Sequence, residues 1–352
     1  MSVFDKDKRA QLQADVLSGK VDSDALLPDL VEWVSVDYFN LFCNLETGER
    51  AISPVSRRGN PQYALRQSYK KSMLVDILRK AEISHTDAHG NIWSHLFFQT
   101  LTIDHSLMSR DEANLFITSK GGGISHYFAR FSKCIEGGYS KVLVKESTKS
   151  GYPAVHIILN LEKPLKVRYH RKSDSYRPDP SDPYTRKVLS QWKNLLDWNS
   201  HSPIWMVGFL DVYAFTKDHL SLRGHSNPIN YIAKYISKSL DLGKNELLRT
   251  CKRVSELPAE LRTRVWTILN NLIWNSQTWV ISKAFKDDLR KLEEEKEKKS
   301  KGLWMWVNIL HRDDPRLRSW MGLSKEDVVP NHGFSIAKLP DTPKLDLLGA
   351  LV

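Results

Sequence analysis

The sequence predicts an α+β protein with a central antiparallel sheet, flanking helices, and further helical regions at both ends of the chain. Apolar runs of strand length and helical segments are mixed between about residues 85 and 245. Two of these runs are joined around a single glycine, as in a β-hairpin. The regular βαβ alternation of a parallel sheet is absent, which favours antiparallel pairing. Three regions follow: a helical N-terminal region (1–84), a central sheet domain (85–245) and a helical C-terminal region (246–352).

The first elements are assigned from pattern and side-chain type. Residues 1–80 have a mainly helical pattern, interrupted by a polar loop near 53–62. Residues 96–103 are rich in β-branched and aromatic side chains and predict the first strand. A helix is expected over much of 111–135, with a break at the three glycines of 121–123.

The later elements follow the same logic. Residues 141–146 alternate between polar and apolar side chains, and 154–161 form a more apolar run that 165–169 extends, so these segments predict strands. The other predicted elements are a helix at 185–198, a strand at 204–215, a helix at 227–240, and a largely helical pattern from 241 to about 301 before a short tail with tryptophans.

The charge balance favours a polyanionic partner. The 352 residues include 52 Lys and Arg against 41 Asp and Glu, which gives a formal net charge of +11. Nucleic acid is the first candidate for such a partner, and an acidic membrane surface is the second. No stretch approaches the length of uncharged apolar sequence that a membrane-spanning helix needs, so membrane insertion is not expected.

Missing motifs argue against several other classes of protein. The three cysteines lie far apart without a C-x-x-C pair, which argues against a zinc ribbon or a disulfide framework and favours a reducing, cytoplasmic location. The N-terminus lacks the apolar segment of a secretory signal, so secretion is not expected. No G-x-x-x-x-G-K-S/T motif occurs, so the chain does not encode a P-loop motor.

The segment at 226–240, SNPINYIAKYISKSL, is the most informative one. An asparagine and a proline at its start are good N-cap and first-turn residues. Its isoleucines form one apolar stripe of the predicted helix. Two tyrosines and two lysines fall on the opposite side: Tyr231, Lys234, Tyr235 and Lys238. The tyrosines are spaced i,i+4, so their phenols point the same way between two ammonium groups.

Two interpretations of these tyrosines remain open. They can shield the edge of a core, although rings that serve only packing are expected within the apolar stripe. They can instead attack a phosphate that the lysines hold, because a metal ion that polarises the phosphate would compensate for the weak nucleophilicity of a phenol.

A second candidate site lies in the predicted hairpin at 141–161. If Gly151 marks the centre of the turn, Glu146 faces His156 across the two strands. Directly opposed side chains have Cβ atoms about 4.5–5.5 Å apart, and a carboxylate with an imidazole at this separation can bind Mg²⁺ or Mn²⁺. A cross-strand hydrogen bond between the two is the alternative, and a register shift of one residue would separate them.

Together these segments resemble the HUH endonucleases, and among them the rolling-circle replication initiators (Rep proteins) of small plasmids and viruses. That family combines a strand of the type F-x-T-L-T, a strand carrying His-apolar-His, and a helix of the type Y-x-x-K-Y-x-x-K. Residues 98–102 match the first motif and residues 231–238 match the third. The strand with Gly208 and Asp211 also resembles the segment that precedes the tyrosine helix. The resemblance covers about 95–240 and implies an HUH or RRM-like palm for the central domain.

The second motif departs from the family pattern. Ala154 stands at the first histidine position, and only His156 remains. Glu146 would then be the second ligand, since several branches of the family take a ligand from the preceding strand. Weaker candidates for a missing ligand are Asp104, His105 and Asp211. The alternative is a variant in which metal binding is weakened or lost.

The resemblance also implies a mechanism and partners. Single-stranded origin DNA would be nicked and rejoined through a covalent 5′-phosphotyrosine intermediate, with Mg²⁺ or Mn²⁺ held at the hairpin. Tyr235 would be the primary nucleophile and Tyr231 the second, while Lys234 and Lys238 would hold or neutralise the phosphate. The partners would be single-stranded DNA, origin duplex DNA and a host helicase that supplies the missing motor.

Three classes of function remain open: a nicking-and-joining initiator, a non-enzymatic origin-binding or repressor protein on the same scaffold, and an HUH transposase or relaxase. The basic segments 57–71 and 249–264 are candidate contacts to origin duplex DNA. Thr100 and Thr102 are expected to be strand scaffold. A loop cluster expected to be unrelated to any metal comprises His85, Asp87 and His89. The tryptophans expected in a C-terminal helical core are Trp266, Trp274, Trp279, Trp304, Trp306 and Trp320.

Overall fold

The computed structural model describes residues 2–35, 38–60, 63, 67, 83–119, 121–192, 202–216, 242, 246–277, 279–283, 285–287, 290–291, 304–311, 313–321 and 335–337. The predicted fold class is confirmed, because an antiparallel sheet with helices beside it forms the centre of this α+β structure. No described helix is long and apolar enough to cross a membrane.

The described strands are β1 (Tyr38–Asn44), β2 (Arg50–Pro54), β3 (Ser84–Thr86), β4 (Ile92–Thr102), β5 (Tyr139–Ser147), β6 (Pro153–His170), β7 (Ser175–Pro178), β8 (Leu210–Ala214), β9 (Trp279–Ile281), β10 (Trp304–His311) and β11 (Ser335–Ala337). The described α-helices are α1 (Arg9–Leu17), α2 (Leu27–Ser35), α3 (Arg110–Thr118), α4 (Gly123–Cys134), α5 (Pro183–Trp192), α6 (Leu247–Thr250), α7 (Ala259–Ile273) and α8 (Pro315–Met321). Single 3₁₀ turns cover Ser23–Leu26 and Val254–Glu256.

The larger sheet has the order β3-β4-β8-β7-β6-β5-β9 in the described part of the chain, and β4 also pairs with β6. Every pairing in this sheet is antiparallel. The long strand β6 makes this arrangement possible, because it pairs with β4 over residues 154–167, with β5 over 153–161 and with β7 over 167–170.

One face of the larger sheet is covered by α4 and α5. Apolar side chains from alternate positions of β4, β6 and β8 pack there against aromatic rings of the two helices. Tyr127 is buried at the centre, where its hydroxyl donates to Gln99 Oε1 and accepts from Trp192 Nε1 at 3.0 Å. Burial raises the pKa of the Tyr127 phenol. This helix-covered face is the main core of the central region, so a site on the sheet surface is expected on the opposite face.

Several predicted elements of the central region are confirmed. The predicted strand at 96–103 coincides with the second half of β4 and extends one residue beyond it. The glycines at 121–123 lie where α3 gives way to α4. The predicted strand at 204–215 is shorter, because only Leu210–Ala214 is extended in the sheet. The residues before it form a turn, in which the Trp205 backbone N–H donates to the Ser202 carbonyl at 3.0 Å. The predicted helix at 227–240 lies outside the described residues.

The prediction of helical terminal regions is incomplete, because both regions also contribute strands. A second antiparallel sheet has the order β10-β1-β2-β11 in the described part, so N-terminal and C-terminal segments pair with each other. In β1 every second residue is buried, namely Phe39, Leu41 and Cys43, as a half-buried strand requires. Leu310, Leu317 and Trp320 complete a small core beneath this sheet.

A third cluster of buried side chains joins the N-terminal helices to α7. Leu12, Leu30 and Trp266 belong to it, together with much of the apolar face of α7. Helix α7 also contacts β5, where Thr267 Oγ1 accepts a hydrogen bond from the Ser147 backbone N–H at 2.8 Å. The C-terminal helix is thereby fixed beside the hairpin that carries the predicted metal ligands.

Candidate metal-binding site

The face of the larger sheet opposite α4 and α5 carries the predicted metal ligands. Because side chains alternate along a strand, residues that pair directly across strands share a face. His156 of β6 pairs with Thr100 of β4 on one side and with Val144 of β5 on the other. Glu146 of β5 pairs with Ala154, which puts it on the same face as His156. The hairpin and the F-x-T-L-T strand therefore meet at one place.

The predicted register of the hairpin is wrong by two residues. We expected Glu146 opposite His156, whereas Glu146 is opposite Ala154. The cause is the turn, in which the Gly151 N–H donates to the Thr148 carbonyl at 3.0 Å and Gly151 has a φ of +86°. A glycine in this left-handed conformation follows a tight turn and lies one residue after its centre. An even shift keeps both side chains on one face, so Glu146 and His156 are diagonal neighbours.

The diagonal arrangement brings the two side chains into contact. His156 Nε2 lies 3.4 Å from Glu146 Oε2, and each side chain is 10% exposed. Thr100 Oγ1 lies 3.2 Å from His156 Nδ1, within hydrogen-bonding distance of the other ring nitrogen. Phe98 stacks on the imidazole with ring centroids 5.7 Å apart. The imidazole is therefore held on both of its edges and on one face, which fixes its orientation.

The pair has the donor chemistry and spacing of a partial metal site. Two donor atoms that each lie about 2.1 Å from a common ion are about 3.0–3.4 Å apart at bond angles near 90–110°. The observed separation of 3.4 Å lies in this range. An imidazole nitrogen with a carboxylate suits Mn²⁺ better than Mg²⁺, which prefers oxygen ligands. Thr100 stands where outer-shell partners of metal-bound histidines are found.

The other candidate ligands have different surroundings. No group of three or more His, Cys, Asp or Glu side chains that could hold a metal occurs within the part of the chain that the structure describes. Asp211 lies on the same face but forms an ion pair with Arg177. Asp104 accepts hydrogen bonds from Ser106, and His105 stacks on Tyr152 with centroids 3.7 Å apart. Both interpretations of Ala154, a retained site and a weakened one, stay open.

The cluster before β4 has a structural explanation. Asp87 organises the β3–β4 turn, because its carboxylate accepts hydrogen bonds from the side chains of Asn91 and Trp93 and from the backbone of His89. These bonds, led by that from Asn91, lower the pKa of the Asp87 carboxyl group. Asp87 therefore has a structural role in this turn, and His85 lies in β3 rather than in a loop.

The predicted nucleophiles and the lysines beside them belong to the segment 227–240. Tyr231, Lys234, Tyr235 and Lys238 lie outside the described residues. That their hydroxyls and ammonium groups face His156 therefore stays a prediction.

The predicted basic segments are partly engaged in the fold. Arg57 lies over the rings of Trp33 and Tyr38, and Arg58 donates to the Asn271 carbonyl at 2.5 Å. In the segment 249–264, Arg253 forms ion pairs with Asp22 and Asp24. These guanidinium groups are structural in the described chain, which reduces the number available for duplex DNA.

The tryptophans also divide into two groups. Trp266, Trp274 and Trp320 are buried as expected. Trp306 is 52% exposed on β10, so it is not part of a core. The expectation of a common helical core therefore holds for only some of them.

The structure draws attention to two residues, Thr100 on the site face and Phe209 just before β8, more than the sequence did. Thr100 was expected to be scaffold, yet it contacts His156. Phe209 was not singled out, but the Thr102 N–H donates to its carbonyl at 3.0 Å and its side chain is 47% exposed. An alternating strand pattern indicates the face of Thr100, whereas its contact depends on a partner 56 residues away.

Comparison of the chain with protein-family models, curated proteins and solved structures finds no match.

Proposed function

We propose that this protein nicks and rejoins single-stranded DNA through a tyrosine nucleophile, as a rolling-circle replication initiator would. One observation carries the proposal. His156, the histidine of the second motif, contacts Thr100 of the first motif and also contacts Glu146, and all three side chains lie on one sheet face. Two motifs recognised separately in the sequence thereby contribute to one polar site. The site lies among apolar side chains such as Phe98 and Val144, which are at most 1% exposed.

In this proposal His156 and Glu146 would hold Mn²⁺ or Mg²⁺. When bound, the metal would supply polarisation of the scissile phosphate. Thr100 and Phe98 keep the imidazole in one orientation, so the Nε2 atom stays directed towards the Glu146 carboxylate. This preorganisation reduces the entropy lost when a ligand binds.

The segment with the two tyrosines supplies the covalent chemistry in this proposal. Tyr235 gives up its phenolic proton to water and its oxygen attacks the phosphorus. The bond between phosphorus and the 3′ oxygen breaks, and the 3′ oxygen takes up a proton from water. The products are a 5′-phosphotyrosine and a free 3′-hydroxyl. Lys234 and Lys238 neutralise the phosphate, and Tyr231 serves a second transfer. One phosphoester replaces another, so the strand can be rejoined without ATP.

Single-stranded DNA is the substrate that best suits the site face. The net charge of +11 favours a polyanion. Phe209, whose backbone carbonyl accepts the Thr102 N–H, has a half-exposed ring on which a base can stack. Origin duplex DNA and a host helicase are the further partners in this proposal, since the chain lacks a P-loop motif.

A covalent-adduct assay tests the proposal. A labelled single-stranded oligonucleotide carrying the origin is incubated with the full chain and Mn²⁺, and the adduct is separated under denaturing conditions. We expect an adduct that is lost in Tyr235→Phe and retained in Tyr169→Phe, whose exposed phenol lies on the far end of β6. An adduct that persists in both Tyr235→Phe and Tyr231→Phe/Tyr235→Phe would refute the assignment of the nucleophile.

A non-enzymatic origin-binding or repressor protein is the second candidate. Ala154 favours it, because a side chain without donor atoms stands opposite Glu146 where the family has a histidine. Tight binding of origin DNA without any adduct in Mn²⁺ or Mg²⁺ would support this candidate. An HUH transposase or relaxase would form the adduct as well, but on DNA that is not a replication origin.

A further inference from the structure

A cavity adjoins the candidate metal site on the side of the C-terminal region. It has a volume of about 450 Å³ and opens between the β5–β6 hairpin and the first two turns of α7. In the described part of the chain it is lined by Glu146, Lys149, Ala259, Glu260, Thr263 and Arg264. Glu146 therefore belongs both to the pair with His156 and to the wall of this cavity.

The two walls of the cavity are firmly joined. The Ser147 N–H donates to Thr267 Oγ1 at 2.8 Å, and Asn270 Nδ2 donates to the Gly151 carbonyl at 3.1 Å. Gly151 also packs against the ring of Trp266, since a Cβ atom there would lie 3.0 Å from two ring atoms. Because both sides are held by buried contacts, the cavity is present before any ligand binds.

The cavity presents two cations that the fold does not use. Lys149 and Arg264 are exposed and form no ion pair with other described residues. Arg253 and Arg262 nearby are engaged, the first with Asp22 and Asp24 and the second with the Leu257 carbonyl. Glu260 is the one lining carboxylate, apart from Glu146, among the described residues. A ligand with a negative charge would thus meet two cations and two carboxylates, of which Glu146 is in contact with His156.

We propose that this cavity binds the nucleotide next to the scissile phosphate of single-stranded DNA, with Lys149 and Arg264 contacting its backbone phosphate. This inference rests on the proposed function and assigns the C-terminal helix α7 a part in substrate binding. The volume suits one nucleotide, because small-ligand sites have about 300–1,000 Å³. Its position beside Glu146 would place a bound phosphate group close to the pair with His156, and Lys and Arg are the side chains that bind phosphate.

Salt-dependent DNA binding tests the inference without requiring catalysis. The affinity of the metal-free full chain for a labelled single-stranded oligonucleotide is measured by fluorescence anisotropy at several salt concentrations. Each phosphate contact on single strands contributes about 0.7 to the slope of log K against log salt. We expect the double variant Lys149→Gln/Arg264→Gln to weaken binding about fivefold at 0.1 M salt and to lower the slope by about 0.7, because both side chains contact one phosphate.

Two further variants make the test specific. Glu260→Gln should strengthen binding, because it removes one of the two carboxylates from the same cavity. The control is Arg130→Gln/Lys133→Gln, which removes one arginine and one lysine from exposed positions of α4, on the other side of the sheet. This double variant should leave the slope within about 0.3 of the original value, since neither side chain lies near the proposed binding site of the DNA strand.

The outcomes separate the inference from the proposed function. A double variant Lys149→Gln/Arg264→Gln that matches the α4 control, or a chain that does not bind single-stranded DNA, overturns the inference. Loss of slope in a chain that forms no covalent adduct supports the cavity as a DNA site and refutes the nicking activity. If the original chain forms the adduct but Lys149→Gln/Arg264→Gln has an unchanged slope of log K against log salt, the proposed function stands and the cavity has no part in it.

Discussion

Gly151→Ala is expected to destabilise the protein much more than Gly90→Ala, although the two glycines have the same backbone role. Each has a positive φ, +86° at Gly151 and +78° at Gly90. Each N–H donates 3.0 Å to the carbonyl three residues earlier, of Thr148 and of Asp87 respectively. The two turns therefore impose the same strain on an alanine, and they differ only in what its Cβ atom meets.

The magnitude follows from these surroundings. The left-handed conformation costs alanine about 1–2 kcal/mol, of which about 0.4–1 kcal/mol is offset because alanine also restricts the unfolded chain. A Cβ atom at Gly90 has nothing within 4 Å, so we expect about 1 kcal/mol there. At Gly151 it would lie 2.5 Å from Arg110 Cδ and 3.0 Å from two Trp266 atoms, which adds about 1–3 kcal/mol of overpacking.

Arg110 cannot move aside without losing other contacts. Its guanidinium carbon lies 4.2 Å from the centre of the Trp266 ring, and its Nη2 donates to Ser23 Oγ at 2.6 Å. The total expected loss for Gly151→Ala is therefore about 2–4 kcal/mol in the free energy of unfolding. Urea denaturation of the full chain, followed by tryptophan fluorescence, measures both variants. Equal destabilisation by the two substitutions would show that α7 does not pack against the hairpin as described.

Three further predictions concern the site and its surroundings. Glu146→Gln should weaken Mn²⁺ binding by at least about tenfold, because it removes the charge of a ligand but keeps its shape. Electron paramagnetic resonance measures the free Mn²⁺. The control is Glu46→Gln in the exposed β1–β2 turn. Thr100→Val should weaken Mn²⁺ binding about 10–100-fold by releasing His156 Nδ1, whereas Thr102→Val, on the same face, should not; equal effects would contradict an orienting role. Burial, and then the nearby charge of Arg58, lower the pKa of Lys145 to about 8. The unfolded chain then binds more protons than the folded one between about pH 8 and pH 10.5, so stability should rise across this interval. Lys145→Met should flatten that rise in denaturation experiments at pH 7 to 10, and an unchanged profile would exclude Lys145 as its source.

The sequence predicted the central region well where local pattern decides the structure. The strand β4 was predicted from its β-branched and aromatic side chains, and the division between α3 and α4 was predicted from three glycines, which favour a break in a helix. One glycine predicted that Glu146 and His156 lie close together, which the structure shows, but their direct pairing across the strands was wrong because the register differs by two residues. A glycine signals that a turn is present, but its place within the turn depends on which loop position needs a positive φ.

Contacts over long sequence separations could not be predicted in this way. The alternation of β1 indicates a strand, but its neighbour β10 begins 260 residues after the end of β1 (Asn44 pairs with Trp304), so no local pattern predicts the second sheet. The same holds for Thr100, whose contact with His156 follows from the pairing of β4 with β6. Side-chain type predicted the candidate ligands, whereas tertiary pairing decides which of them meet.

The contacts of the hairpin also change how the predicted regions relate to the site. The Gly151 carbonyl accepts hydrogen bonds from Asn114 of α3 and from Asn270 of α7, so the tip of the hairpin is held between two helices. β9, which also follows residue 245, pairs with β5 along Val142–Val144. The surroundings of Glu146 are thus built from both sides of the predicted boundary at 245, although the motifs that carry the resemblance all lie before it. Because a metal ligand needs a fixed position, the C-terminal region contributes to the proposed chemistry even where its residues touch neither metal nor DNA.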